Sequence, residues 1–306
     1  MARERYEEQV QLLVQIIPII AGEPCFALKG GTAINLFYRD MPRLSVDIDL
    51  TFLPVKDRAE SLKEIDLALE RIRAAIEAKV PRVRAQRIAG GGGGDTRVLA
   101  RRGAAEVKIE TSPVTRGVVN EPTKRSVSAA VEDRFGFAET LVVSFEDLFG
   151  GKLHAALDRQ HPRDLYDVKL LYENEGLTDA LFNTFLVYVA SSGRPPHELL
   201  RPTLVPLDAA YVAEFEGMTN VPAPLAELIE TRTRLLADIK AKLNEPARKF
   251  LLSLHDASPE FDLIGLPHAA ELPAVRWKVQ NLEKLKRENP DKHAEQRIAL
   301  EGVWAV

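Results

Sequence analysis

Between Leu44 and Phe52 the sequence alternates without a break. Leu44, Val46, Ile48, Leu50 and Phe52 fall on one side, and Ser45, Asp47, Asp49 and Thr51 on the other. Side chains alternate across a strand with period two, so this run predicts a half-buried strand over 44–52. It also puts two aspartates on one face, although Asp is depleted in strands. At a spacing of about 6–7 Å and an effective dielectric near 20, two such charges repel by about 2–3 kcal/mol. Either water and salt on an open sheet face offset that repulsion, or a divalent cation does. Oxygen-only donors suit Mg²⁺.

The surroundings extend the picture. Val10, Leu13, Val14, Ile17 and Ile20 recur at helical spacing over 4–20. Cys25–Leu28 reads as a short buried strand closed by Lys29-Gly30-Gly31, and Thr32–Arg39 as a short helix with Thr32 at its N-cap. That diglycine turn is either a tight connection or a place where backbone N–H groups meet an anion. A helix is expected over 57–79, and strands over 83–88, 96–101 and 105–111. The run Gly90–Gly94 forms a hairpin tip between the first two strands. It is no G-x-G-x-x-G loop, since position 95 is Asp. In the last strand Glu110 shares a face with Glu106 and Lys108. It either completes a three-carboxylate cluster with Asp47 and Asp49 or belongs to an ordinary charged face.

From about Leu141 the period changes and nearly everything reads as helix. The expected plan is α+β, with a mixed-sheet domain over 1–141 followed by an α-helical domain over 142–306. Glu146–Arg159 and Arg163–Asn174 open the second part. They carry Lys152, a point charge suited to phosphate, and Asp164 and Asp167 in a first helical turn, where the macrodipole favours carboxylates.

The chain has 306 residues, 45% of them hydrophobic and 28% charged, enough to bury a real core. Its single cysteine, Cys25, excludes a disulfide framework or a multi-thiolate metal site, and its six histidines show no zinc spacing. No stretch reads as a signal or a membrane span, so a cytoplasmic protein is expected. Net charge is −4, so any nucleic-acid surface must be local. From Val80 to Arg134 eleven Lys/Arg face six acids, a local net of +5. That segment is either a basic stripe or a solvated sheet face.

Four segments taken together carry a family resemblance: Leu28-Lys29-Gly30-Gly31-Thr32-Ala33-Ile34, Arg43-Leu44-Ser45-Val46-Asp47-Ile48-Asp49-Leu50, Lys152, and Arg163-Asp164-Leu165-Tyr166-Asp167. The combination resembles the AbiEii/AbiGii nucleotidyltransferase-like toxins, which include the mycobacterial MenT proteins. The Gly-Gly-Thr to Asp-x-Asp order is that of the wider polymerase-β-like nucleotidyltransferases. The motifs span about 26–170; residues 175–306 match only in general character. The resemblance implies a bilobed protein that binds a nucleoside triphosphate and Mg²⁺ and acts as the toxin of a type IV pair, with its antitoxin encoded nearby. It implies transfer of nucleotides to the 3′ acceptor end of tRNA, which blocks translation. In that reading Gly30, Gly31, Thr32 and Ser45 frame the triphosphate. Asp47 and Asp49 hold the metal, with Glu110 as a third carboxylate. Lys152 contacts phosphate, and Asp164 is the later essential aspartate. The alternatives are transfer to a protein or small molecule, or a nucleotide-binding regulatory module without turnover.

Overall fold

A computed structural model describes residues 2–90 and 94–305. The tip of the expected glycine hairpin, residues 91–93, lies outside the described residues. The chain folds as two units: Met1–Ser144 with Thr219–Val221, and Phe145–Met218 with Pro222–Val306.

The first unit is a sheet with helices. In chain order it contains α1 (Ala2–Ile20), β1 (Phe26–Lys29), α2 (Gly30–Ala33, continued by a π-helical turn Ile34–Tyr38) and β2 (Ile48–Phe52). Then follow α3 (Arg58–Lys79), β3 (Arg84–Gly90), β4 (Gly94–Arg102), β5 (Ala105–Thr111), β6 (Thr123–Ser126), α4 (Ala129–Phe135) and β7 (Glu139–Val142). The strands form one seven-stranded mixed sheet in the order β3-β4-β5-β2-β1-β7-β6. β2 runs parallel to β5 and β1 parallel to β7, and the other neighbours are antiparallel.

Burial follows the period-two pattern. On β5, Ala105, Val107, Ile109 and Thr111 are buried, while Glu106, Lys108 and Glu110 are half-exposed. On β2, Ile48, Leu50 and Phe52 are sealed from solvent. α1 packs its Val10, Leu13, Val14 and Ile17 stripe against the sheet at β5 and β7, and α3 covers β3 and β4 with Ile65, Leu69, Ile72 and Ile76. Each such side chain contributes roughly 1.5–3 kcal/mol on burial. The apolar face of β2 and β5 therefore goes inward, which leaves Asp49 and Glu110 on the opposite face.

The second unit is helical: α5 (Phe145–Asp158), α6 (Pro162–Asn174), α7 (Asp179–Ala190), α8 (Pro196–Leu200), α9 (Asp208–Glu214), α10 (Leu225–Lys242), α11 (Glu245–His255), α12 (Pro273–Glu288) and α13 (Pro290–Glu301). Several of its helices start where a side chain can accept one of the first free N–H groups. Thr178 caps α7, Asn244 caps α11 and Asn289 caps α13. α6 ends at Gly176, whose φ of +74° suits the left-handed residue that closes a helix. Among the described residues no helix is long and apolar enough to cross a membrane.

The α+β plan is the observed one, with local corrections. The strand expected over 44–52 forms only at 48–52. Residues 44–47 leave the ladder because their polar groups are bonded to the α2 turn, as described next. The short β6 and β7 and the helix between them lie in a stretch with no period of its own. β6 is mostly exposed and carries no alternation.

Candidate active site

β1 ends at Lys29, and the chain turns into α2 at Gly30 with φ +76°. An L-residue is disfavoured there, and space forbids one as well. A Cβ on Gly30 would run into the Asp49 carboxylate oxygen and lie 3.1 Å from the Asp49 Cβ. A Cβ on Gly31 would lie 2.6 Å from the Arg43 guanidinium and 2.9 Å from Ser45 Oγ. The two glycines thus let three polar side chains close onto bare backbone.

Hydrogen bonds hold that arrangement. Thr32 is fully buried; its Oγ1 donates to the Asp47 carbonyl and lies 3.2 Å from Ser45 Oγ. Asn35 Nδ2 donates to the Gly31 carbonyl at 2.6 Å, and its Oδ1 accepts from the Arg43 N–H at 3.3 Å. The Arg43 side chain, itself buried, donates to the Leu44 carbonyl at 2.9 Å. Residues 43–47 are thereby stitched to residues 31–35. This corrects the reading of Thr32 as an N-cap. Lys29 occupies the cap position without a side-chain bond, and the Thr32 hydroxyl positions Asp47 instead.

The strand register aligns a row of charges across four strands. Lys29 on β1 pairs with Asp49 on β2, Asp49 with Glu110 on β5, and Glu110 with Arg97 on β4. Direct cross-strand partners have Cβ atoms about 4.5–5.5 Å apart, so these side chains interact. Arg97 donates to Glu110 Oε1 from Nε at 2.9 Å and from Nη2 at 2.5 Å. Lys108 Nζ lies 3.0 Å from Glu110 Oε2 and 3.8 Å from Asp47 Oδ2. Burial pushes the Glu110 carboxyl up, but the Lys108 and Arg97 hydrogen bonds outweigh it and hold the group below its ordinary value. Burial likewise pushes the Lys29 ammonium down, against the pull of Asp49 and Glu110.

The structure therefore brings Gly30, Gly31, Thr32, Ser45, Asp47, Asp49 and Glu110 into one neighbourhood. It also adds Lys29, Asn35, Arg43, Arg97 and Lys108. Among the described residues no three His, Cys, Asp or Glu side chains are gathered as a metal cluster. The Glu110 charge is met by Arg97 and Lys108. The donor chemistry still suits a hard divalent cation, since Asp47 and Asp49 offer only oxygens and Asp49 is fixed over the Gly30 cradle.

The profile of the family described as "Nucleotidyl transferase AbiEii toxin, Type IV TA system" matches residues 11–281. The chain belongs to this family. It is a nucleotidyltransferase. No curated protein matches the sequence. Among solved structures, MenT4, a nucleotidyltransferase toxin from Mycobacterium tuberculosis H37Rv, superposes with a TM-score of 0.58 at 15% identity. That match covers 93% of this chain and 92% of MenT4, and it shows a shared fold. A terminal uridylyl transferase 4 from Trypanosoma brucei with bound dUTP also aligns, over 96% and 98% of the two chains at 14% identity. Its TM-score of 0.29 is too low to carry an argument.

The AbiEii-type sequence signals of the helical unit fall on α5 and α6. Lys152 is buried, with its Nζ 2.7 Å from Asp164 Oδ1 and 2.9 Å from Asp167 Oδ2. Arg159 reaches the same Asp164 at 2.8 and 3.1 Å. Burial pushes the Asp164 carboxyl up, yet Lys152 and Arg159 bring it down to about 2. Asp167, which the sequence reading set behind Asp164, is an equal partner. Its place one turn along puts it on the same helix face. The neighbouring Gly150 and Gly151 serve packing. Tyr188 of α7 lies so close that a Cβ on either would approach its ring to 3.2–3.3 Å, and its hydroxyl donates to Asp147 at 3.1 Å.

Lys29, Asn35, Arg43, Arg97 and Lys108 enter the site only through the fold. Arg43 and Lys29 stand inside the quoted motifs but were not read as site residues. Only the fold turns them toward the diglycine turn and Asp49. Asn35 carried a weak signal, four residues beyond Gly31 on a helical turn, where a side chain can reach back to a carbonyl.

Proposed function

We propose that this AbiEii-family enzyme transfers a nucleotide from a nucleoside triphosphate to the 3′ acceptor end of tRNA and thereby blocks translation. The observation that carries the reading is the cradle in which Gly30 and Gly31 bare their backbone directly beneath Asp49, Ser45 and Arg43. Such a surface can seat a chain of phosphates on N–H groups, a hydroxyl and a guanidinium beside two carboxylates.

Asp47 and Asp49 would hold Mg²⁺. When bound, that ion supplies charge neutralisation for the phosphates and lowers the pKa of an attacking hydroxyl. The chain's own residues do the positioning. Thr32 fixes the Asp47 backbone, the glycine turn fixes Asp49, and Arg97 and Lys108 hold Glu110. Glu110 in this reading aligns Asp49 across the strand pair and keeps Lys108 in reach of Asp47. Positioning and charge stabilisation supply most of the rate in phosphoryl-type transfer. For the helical unit, the family resemblance implies that Lys152 contacts phosphate and that Asp164 is essential. Within that unit the buried Lys152 ammonium is paired with both Asp164 and Asp167, at 2.7 and 2.9 Å. The partners of this reading are the triphosphate, tRNA and a cognate antitoxin, in the cytoplasm.

The acceptor rests on charge. The stretch 80–134 keeps its excess of basic residues, but the structure thins it. Arg87, Arg97, Arg101, Lys108, Lys124 and Arg134 each contact an acid. The test is incubation of the protein with Mg²⁺, total tRNA and each α-labelled nucleoside triphosphate in turn, beside Asp49→Asn. Label on tRNA from the native protein alone supports the reading. Label on protein or on a small molecule moves the acceptor. Nucleotide binding without any release of pyrophosphate makes the chain a regulatory module.

A further inference from the structure

Away from the charge row, the edge of the sheet holds a second basic feature. Arg82 precedes β3, Arg84 opens it, and Arg101 lies near the end of β4. Together they line an open concavity of about 520 Å³. Arg84 and Arg101 are direct cross-strand partners. Like charges placed opposite each other across two strands destabilise the sheet. Arg82 adds a third positive charge from a backbone at φ +61°, a left-handed conformation that a non-glycine side chain rarely adopts.

Little in the free protein answers these charges. The side chains of Arg82 and Arg84 make no hydrogen bond or ion pair among the described residues. Glu77, the one acid in the wall, is already taken by Arg73 at 2.6 Å and by the Ala85 N–H at 3.1 Å. Only Arg101 has a partner, Glu106 at 2.6 Å, and both of those side chains are largely exposed. A single charge is enough to discourage edge pairing. Three guanidinia converging on one hollow are suited to an anion with several oxygens.

We propose that Arg82, Arg84 and Arg101 form a binding site for the phosphodiester backbone of the RNA substrate, separate from the nucleotide cradle. This rests on the RNA-acceptor reading above and adds to it the surface that holds the acceptor strand. Arginine is suited to this task because its planar fork can engage two phosphate oxygens at once. Backbone contacts of this kind position a nucleic acid without reading its sequence.

The experiment compares native protein with the double variant Arg82→Gln/Arg84→Gln in tRNA binding across a range of KCl concentrations. Each lost phosphate contact reduces the slope of log Kd against log salt by about 0.7–0.9, so the variant's slope is expected to fall by about 1–2. Nucleoside triphosphate binding is expected to stay at the native level. The Tm is expected not to fall, because Arg84→Gln removes a like-charge pair. An unchanged slope, with native protein binding tRNA, overturns the site and leaves the RNA reading standing. A Tm loss with an unchanged slope assigns these arginines a structural role and overturns it too. Absence of any salt-sensitive tRNA binding by native protein overturns both.

Discussion

Replacing Gly30 by alanine separates the seat of Asp49 from ordinary backbone strain. The substitution has two costs. One is the left-handed backbone, at φ +76°, which costs a non-glycine residue about 1 kcal/mol. The other is the collision of the new methyl with the Asp49 carboxylate, whose Cβ at 3.1 Å leaves it little room to retreat. Overpacking of that kind costs about 1–3 kcal/mol, for a sum of about 2–4 kcal/mol. Gly176→Ala is the matched control. Its φ is +74°, and no atom lies within 4 Å of the added Cβ, so only the backbone cost applies. At about 2–4 °C per kcal/mol, Gly30→Ala should lower Tm by about 4–16 °C and Gly176→Ala by about 2–4 °C. Activity should separate them further. A catalytic group misplaced by about 1 Å can cost on the order of 10²-fold, so Gly30→Ala should lose transfer by that factor while Gly176→Ala keeps the native rate. The assay is thermal unfolding paired with initial-rate labelling of tRNA. Equal Tm shifts for the two variants, together with native transfer by Gly30→Ala, would refute the idea that the glycine exists to seat Asp49.

Other outcomes follow from the same geometry. Thr32→Val, which removes the hydroxyl that holds the Asp47 carbonyl in a fully buried place, should cost about 1–3 kcal/mol in urea unfolding and lower transfer without changing the helical unit. Lys152→Met leaves Asp164 and Asp167 facing one another without their shared cation, and should cost about 3–5 kcal/mol. The Asp164 carboxyl, held at about 2 against 3.8, contributes about 2 kcal/mol that is present above pH 4 and lost as pH falls toward 2. Urea titrations over that range should show the loss in native protein and not in Asp164→Asn. His255 and His293 stack at 4.1 Å, each ring nitrogen bonded to the other's carbonyl, and burial pushes the His255 imidazole below its usual value. Since the unfolded chain then takes up the proton first, stability should drop as pH falls below about 6.5. His255→Gln should flatten that dependence.

How much of this was legible beforehand depends on where each residue's constraint lies. The alternation of 105–111 predicted β5 because its period reflects one buried face, a local property. The same reasoning overextended β2. Ser45 and Asp47 alternate correctly, yet Thr32, thirteen and fifteen residues away, takes the Ser45 hydroxyl and the Asp47 carbonyl, and the ladder begins only at Ile48. Thr32 itself reads equally well as a cap or as a buried hydroxyl, and only the tertiary fold chooses. Glu110 was found by its pattern, but Arg97 and Lys108 as its partners depend on strand order, which no local pattern contains. In the helical unit Thr178, Asn244 and Asn289 cap their helices with side-chain oxygens, a local chemistry that the sequence carries. β6 and β7 went unread because they are short, and β6 is exposed at the sheet edge.

The most direct test of the central claim is to block the acceptor itself. Native protein, Mg²⁺ and an α-labelled nucleoside triphosphate would be incubated with intact tRNA and with tRNA whose 3′-terminal ribose has been oxidised by periodate. The account predicts label on intact tRNA, mapped to its 3′ end, and none on the oxidised form or from Asp47→Asn. Equal labelling of oxidised and intact tRNA, or label confined to protein, would contradict it.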